Sequence, residues 1–342
     1  MKAVLIHPPH VLRVEDVALE AAGPRGVTVR VRNGGICGSD LHYYHHGGFG
    51  TVRVTQPMVL GHEVAGEVVA VGSAVTRVKP GDRVAINPSL PCNACRYCLE
   101  GAQQHCLDMR FYGSAMRTPH VQGGFREQLV CDESQAVPAA MPLERAAFAE
   151  PLAVCLHAAR QAGPLLGRRV LVVGAGPIGV LCAMAARQGG AREVVVTDLI
   201  DAPLAIARAC AADRTVNVAA EPGAMAAYGA EKGYFDVGFE CSGSAPGVAS
   251  ALAALRPGGT LVQVGLGGGE TVVPMNMVVA KEITLRGTFR FHAEFEMAVG
   301  LLASGAIDVA PLLTEIVPMG EAIRAFELAS DRGRAMKVQL AL

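Results

Sequence analysis

The stretch that decides the fold is Val170-Leu171-Val172-Val173-Gly174-Ala175-Gly176-Pro177-Ile178-Gly179. Its first four residues are a short apolar run of the kind that forms a buried strand. A G-x-G-x-x-G turn follows, and 177–187 then reads as a helix. Asp198 closes the next apolar run, Val194-Val195-Val196-Thr197, at about the 20-residue spacing of a ribose-binding acid. Such a turn needs its first glycine for tightness and its second for backbone approach to a pyrophosphate. The third permits close helix–strand packing, and the helix N-terminus faces the phosphates. Asp198 would accept hydrogen bonds from ribose hydroxyls and repel a 2′-phosphate, which favours NAD over NADP. Leu199 and Ile200, next in the chain, supply no arginine for that phosphate. The competing reading, a glycine-rich turn with Asp198 as a helix cap, does not require this order of strand, turn, helix, strand and acid.

Outward from the turn, strands at 194–197, 235–239 and 261–264 alternate with helices at 202–211 and 245–255. That rhythm implies an α/β, doubly wound parallel sheet. The first 145 residues read differently, with strands at 27–32, 62–71 and 82–86 separated by turn signals at Gly72 and Pro80-Gly81. No long helical stripe is expected there, so this part reads as a mainly β domain. The tail returns to mixed structure, with helices near 293–303 and 320–329 and a strand near 336–340.

Composition narrows the function. Thirty basic residues face 31 acidic ones, which argues against nucleic acid or an anionic membrane as the main partner. The apolar run at 170–186 falls short of the roughly 20 residues a membrane span needs. The start, Met1-Lys2-Ala3-Val4-Leu5-Ile6-His7-Pro8, is too short an apolar run for a secretory signal. Ten cysteines in such a chain suggest thiols and metal in a reducing cytoplasm, not a disulfide scaffold.

Four of those cysteines, Cys92, Cys95, Cys98 and Cys106, form C-x2-C-x2-C-x7-C. Four thiolates so spaced suit a closed, tetrahedral structural zinc that orders a loop with little core. A redox pair would not need the third and fourth cysteine, and His105 is a spare ligand the four thiols do not require. A second, dispersed set comprises Cys37, His62-Glu63 and Glu150. Singly, each has a bland reading: a packed thiol, a core histidine, a helix-end carboxylate.

Taken together, Cys37-Gly38-Ser39-Asp40, Gly61-His62-Glu63, the four-cysteine lobe and the turn 174–179 resemble the zinc-containing medium-chain alcohol and polyol dehydrogenases. Ala149-Glu150-Pro151-Leu152-Ala153 is similar to the polyol branch. Gly34 to Tyr44, Asp108 to Met116 and Glu231 to Val237 resemble the L-idonate 5-dehydrogenases, which interconvert L-idonate and 5-keto-D-gluconate. The resemblance implies a GroES-like zinc-binding domain over 1–148, a Rossmann NAD-binding domain over 149–287, and a segment 288–342 returning to the first. It implies two zinc ions per chain. Cys37 and His62 would bind the catalytic one, with either Glu63 or Glu150 as third ligand. Asp40 would orient His62, and Ser39 and His42 would relay the substrate proton. Gly174, Gly176, Pro177, Ile178, Gly179 and Asp198 would hold NAD, with Val264, Leu266 and Phe289 near the nicotinamide. Tyr43, Arg110 and Arg290 would meet the substrate, an arginine suiting the carboxylate of an aldonate. The partner is then a small polyol or aldonate, and the chain a homo-oligomer in the cytoplasm. The alternatives are a sorbitol or other polyol dehydrogenase, and an inactive NAD-binding zinc protein. The intact set Cys37, Ser39, His42, His62 and Glu150 speaks against the latter.

Overall fold

Strand Gly26–Gly35 organises the first part of the computed structural model, which describes residues 1–267 and 269–342. It lies inside a seven-stranded sheet in the order Ala136–Pro138, Arg83–Ile86, Glu63–Val71, Gly26–Gly35, Lys337–Ala341, Leu313–Pro318, with Gln128–Asp132 also on Gly26–Gly35. Val27, Val29 and Val31 alternate along it and are fully buried, as the period-2 pattern requires. The chain divides into two units. One comprises Met1–Glu150, His292–Asp331 and Lys337–Leu342; the other comprises Pro151–Phe291 and Arg332–Met336.

Two helices depart from the sequence reading. Gly38–His46 interrupts the mainly β part, where no long helical stripe was expected. Only Asp40, Tyr43 and Tyr44 of it are buried, so its polar residues hide any apolar stripe, and Gly47 at φ 67° ends it in the left-handed region. Helix Ala149–Ala162 was also unforeseen. Nearly all of it is buried or half-buried, although it carries Glu150, His157, Arg160 and Gln161.

The second unit holds a six-stranded, all-parallel sheet in the order Arg214–Asn217, Glu193–Asp198, Arg169–Val173, Phe235–Glu240, Leu255–Gln263, Thr284–Gly287. This is the doubly wound order, whose direction reverses between Arg169–Val173 and Phe235–Glu240. Leu171, Val195, Phe235, Leu252, Leu255 and Leu261 form its dry interior. The strand expected at 261–264 in fact begins at Leu255, directly after helix Ala245–Ala254. Among the described residues no helix is long and apolar enough to cross a membrane.

Candidate metal and dinucleotide sites

The first site is built on the ends of three neighbouring strands. Gly35 pairs with Glu63 on one side and Gln339 on the other, so Cys37, His62-Glu63 and Lys337 are delivered to one place. The ligand atoms of Cys37, His62 and Glu63 all lie within 4.8 Å of one another. A Cβ on Gly35 would run into the Glu63 carboxylate, so this position has to be glycine for the acid to fit. Asp40, fully buried, braces the two ligand segments: Oδ2 accepts from the Cys37 amide at 3.0 Å and Oδ1 from the Gly61 amide at 3.3 Å. His62 Nδ1 lies 3.8 Å from Asp40 Oδ1 and has no hydrogen-bond partner despite its burial.

Lys337 was not foreseen. Its Nζ donates to both Glu63 oxygens, at 2.8 and 2.7 Å, and to the Ile36 carbonyl at 3.1 Å. The two side chains are 4% and 1% exposed, so each charge is compensated chiefly by the other. Burial opposes the lysine's charge, but Glu63 and Cys37 outweigh it and hold its pKa above the usual value. The acids respond oppositely. Burial, then Glu63, pushes the Cys37 thiol up to about 12. Burial also pushes Glu150 up to about 8, against the pull of His62 and with Glu63 and Cys37 adding to the rise. Burial raises Asp40 too. Four acidic groups thus surround one buried lysine, an arrangement whose electrostatics favour binding a further cation. A thiolate, an imidazole and a carboxylate are a zinc-type donor set, and three ligands leave one position open. The structure therefore groups Glu63, not Glu150, with Cys37 and His62. Glu150 stands outside that cluster but within its electrostatic reach.

The four-cysteine lobe also fits its metal. Cys92, Cys95, Cys98 and Cys106 converge, with sulfurs 3.6 Å apart for Cys95–Cys98 and 4.0 Å for Cys92–Cys98. Tetrahedral zinc with bonds of about 2.3 Å places sulfurs about 3.8 Å apart. Backbone amides of Cys92 and Asp108 donate to the Cys106 sulfur, and that of Cys95 to Cys92. The Leu107 and Cys98 amides hold the Cys95 thiol down to about 6. His105 is not in the group.

In the second unit, Gly174 takes φ 95°, and a Cβ at Gly179 would strike the Gly174 carbonyl. Gly176 caps helix Pro177–Gln188, with Pro177 in its first turn and Ile178 just inside it. Asp198 ends its strand beside this turn: its Oδ2 accepts from the Ala175 amide at 2.7 Å. It also accepts from Arg332 Nη2 at 2.6 Å. The sequence reading found no arginine beside Asp198; the fold brings one from the far end of the chain. Val264 and Gly265 donate their amides to the Glu240 carbonyl, leaving Leu266 exposed beyond them.

The residues expected to meet substrate are placed unevenly. Tyr43 is buried, and its hydroxyl accepts the Ala115 amide at 3.1 Å. Arg110 is exposed on the short strand Arg110–Phe111, and Arg117, not Arg110, pairs with Asp108. Arg290 takes φ 52°, with its guanidinium 5.0 Å from the centroid of the Phe289 ring. Ser39 and His42 lie one turn apart on helix Gly38–His46.

A thiol–imidazole–carboxylate cluster, a four-thiol lobe and a Rossmann sheet define a metal-dependent dehydrogenase architecture. The chain belongs to the zinc-binding alcohol dehydrogenase family. Residues 23–142 match the alcohol dehydrogenase GroES-like domain and 177–304 the zinc-binding dehydrogenase domain. It is 46% identical over 317 residues to L-idonate 5-dehydrogenase (NAD(P)(+)) of Escherichia coli K12, covering 92% of this chain and 91% of that one. It is 38% identical to sorbitol dehydrogenase of Bos taurus, covering 99% and 95%. The crystal structure of L-idonate 5-dehydrogenase from E. coli superimposes with a TM-score of 0.96 at 43% identity, covering 100% and 98%.

Two outcomes follow from the buried charges. Lys337→Met strands the Glu63 carboxylate and should cost the metal-free protein about 3–5 kcal/mol in denaturant titrations; adding Glu63→Gln should return much of that loss. A carboxyl with a raised folded pKa supports the fold while protonated. In the metal-free chain the Glu150 contribution is present below its ordinary 4.5 and lost as pH rises through about 8. Zinc must displace such protons, so affinity at this site should rise between about pH 6 and 8. Glu150→Gln should flatten that slope in competitive zinc titrations, and an unchanged slope would show that Glu150 shares no proton with the site.

Proposed function

We propose that the chain is a zinc-dependent, NAD-linked dehydrogenase that reversibly oxidises the C5 alcohol of L-idonate to 5-keto-D-gluconate. The observation that carries this reading is 46% identity across 92% of the chain to the E. coli enzyme of that name, in a chain whose Cys37, His62 and Glu63 converge. Bound there, zinc supplies the Lewis acidity that lowers a hydroxyl pKa, and NAD accepts the hydride. Cys37, His62 and Glu63 hold the metal. A carboxylate has about four acceptor positions, so Glu63 keeps lone pairs for it while Lys337 occupies others. Glu150 contributes as a neighbouring carboxyl, through a water or the substrate hydroxyl. Ser39 Oγ takes the substrate proton and passes it to His42, at i,i+3 on the same helix face. Burial, then His46, holds His42 below its ordinary pKa. Its ring is therefore neutral at neutral pH and free to accept that proton. Gly174, Gly176 and Gly179 admit the pyrophosphate, Asp198 takes the adenosine ribose, and Val264, Leu266 and Phe289 flank the nicotinamide. Cys92, Cys95, Cys98 and Cys106 hold the second, structural zinc.

An aldonate differs from a neutral polyol by its carboxylate, and Arg110 or Arg290 is its partner here. Arg110→Met and Arg290→Met should be compared on L-idonate and sorbitol. Loss of the carboxylate contact lowers kcat/KM on idonate by about 10- to 100-fold and leaves sorbitol turnover nearly unchanged. The 38% identity to sorbitol dehydrogenase supports a second reading, oxidation of neutral polyols. Wild-type protein that oxidises sorbitol as efficiently as idonate would favour it.

The proposal includes a homo-oligomer. Edge strand Thr284–Gly287 is exposed along its whole length, with Leu285, Val279, Val272 and Met275 exposed in or near it. An exposed edge with apolar residues beside it in the sequence suits pairing with a second copy, Arg286 being its one charged residue. Leu285→Lys should shift the protein to monomer in light scattering, and a wild-type monomer would remove this element. Free thiols at all ten cysteines support a reducing cytoplasm.

A further inference from the structure

The cofactor acid Asp198 is already fully engaged. Its Oδ1 accepts the Leu199 and Ile200 amides at 2.7 and 3.2 Å. Its Oδ2 accepts the Ala175 amide at 2.7 Å and Arg332 Nη2 at 2.6 Å. Four donors fill the four or so acceptor positions of a carboxylate. A ribose diol, which must donate to this acid, finds no vacant lone pair. Three of the donors are backbone amides fixed by the turn and by the strand end. The fourth is a side chain, and it is the one that can leave: Arg332 is 52% exposed, against 2% for Asp198.

We infer that Arg332 sets the choice of dinucleotide, competing with the ribose diol of NAD for Asp198 and receiving the 2′-phosphate of NADP. This rests on the dinucleotide reading of the second unit. Toward a plain ribose, Arg332 must be displaced before both hydroxyls can bond, which weakens NAD. Toward a 2′-phosphate, the same guanidinium cancels the Asp198 charge that would repel the ligand. It also has further N–H donors, of five in all, to offer the phosphate oxygens. The chain therefore accepts both dinucleotides, although the residues following Asp198 contain no arginine.

The test is calorimetric binding of adenosine 2′,5′-bisphosphate and of 5′-AMP to the full-length protein, wild type, Arg332→Met and Arg332→Lys, with melting curves confirming that each is folded. Arg332→Met should lose about 10- to 100-fold in affinity for the bisphosphate, while 5′-AMP binds as well or a few-fold better. Arg332→Lys, which keeps the charge without the planar fork, should fall between. Bisphosphate affinity that is the same in wild type and Arg332→Met overturns the assignment, as does a parallel loss for both probes. Wild-type protein that binds neither probe and neither dinucleotide would overturn the dinucleotide reading itself.

Discussion

The buried pair between Lys337 and Glu63 is the contact on which the metal site depends. It joins the start of strand Glu63–Val71, the end of Gly26–Gly35 through the Ile36 carbonyl, and the closing strand Lys337–Ala341. Buried ion pairs add little net stability, because desolvation offsets their attraction. What this one supplies is register. A one-residue slip of the closing strand would turn Met336 or Val338 toward Glu63 and leave the lysine among apolar neighbours, reversing every side chain of the strand. The C-terminal residues thus complete a cluster whose metal-ligand candidates are all in the first 63.

Charge imbalance then links folding to metal. Cys37, Asp40, Glu63 and Glu150 crowd a volume around one buried lysine, and burial pushes the first, second and last toward their protonated forms. Asp40 tolerates its position because two backbone amides, from the cysteine loop and from the residue before His62, converge on it. The same two bonds fix the separation of the thiol and the imidazole. Cys37, His62 and Glu63 would hold a divalent cation here, and its charge would favour the deprotonated forms that burial disfavours, so metal binding and proton release are linked at this site.

What could be read from the sequence was what is written locally. The glycine turn with Asp198 and the four-cysteine spacing each occupy a short window with a fixed chemical requirement, and both fold as that spacing implies. Helix Gly38–His46 was hidden because its polar residues break any stripe, and Ala149–Ala162 because Pro151 and the polar Glu150, His157, Arg160 and Gln161 interrupt its apolar run. The third metal ligand stayed open between Glu63 and Glu150 because only the folded sheet shows which carboxylate adjoins Cys37 and His62. Lys337 and Arg332 were invisible for a different reason. Their partners lie 274 and 134 residues away, and neither a lysine in a strand nor an arginine in a turn is unusual on a surface.

Those two missed cations make the same kind of bond with opposite consequences, and burial decides between them. Each meets a carboxylate that is almost entirely shielded, within 2.6–2.8 Å. Lys337 is itself shielded, so leaving Glu63 would expose both charges to an apolar interior, and no ligand can compete for it cheaply. Arg332 keeps half its surface in water, so leaving Asp198 re-solvates its guanidinium at little cost. A dinucleotide that brings its own hydroxyls or its own phosphate can outbid so weak a pair. The first contact is therefore part of the framework, and the second, on the dinucleotide reading proposed above, is a replaceable partner of Asp198.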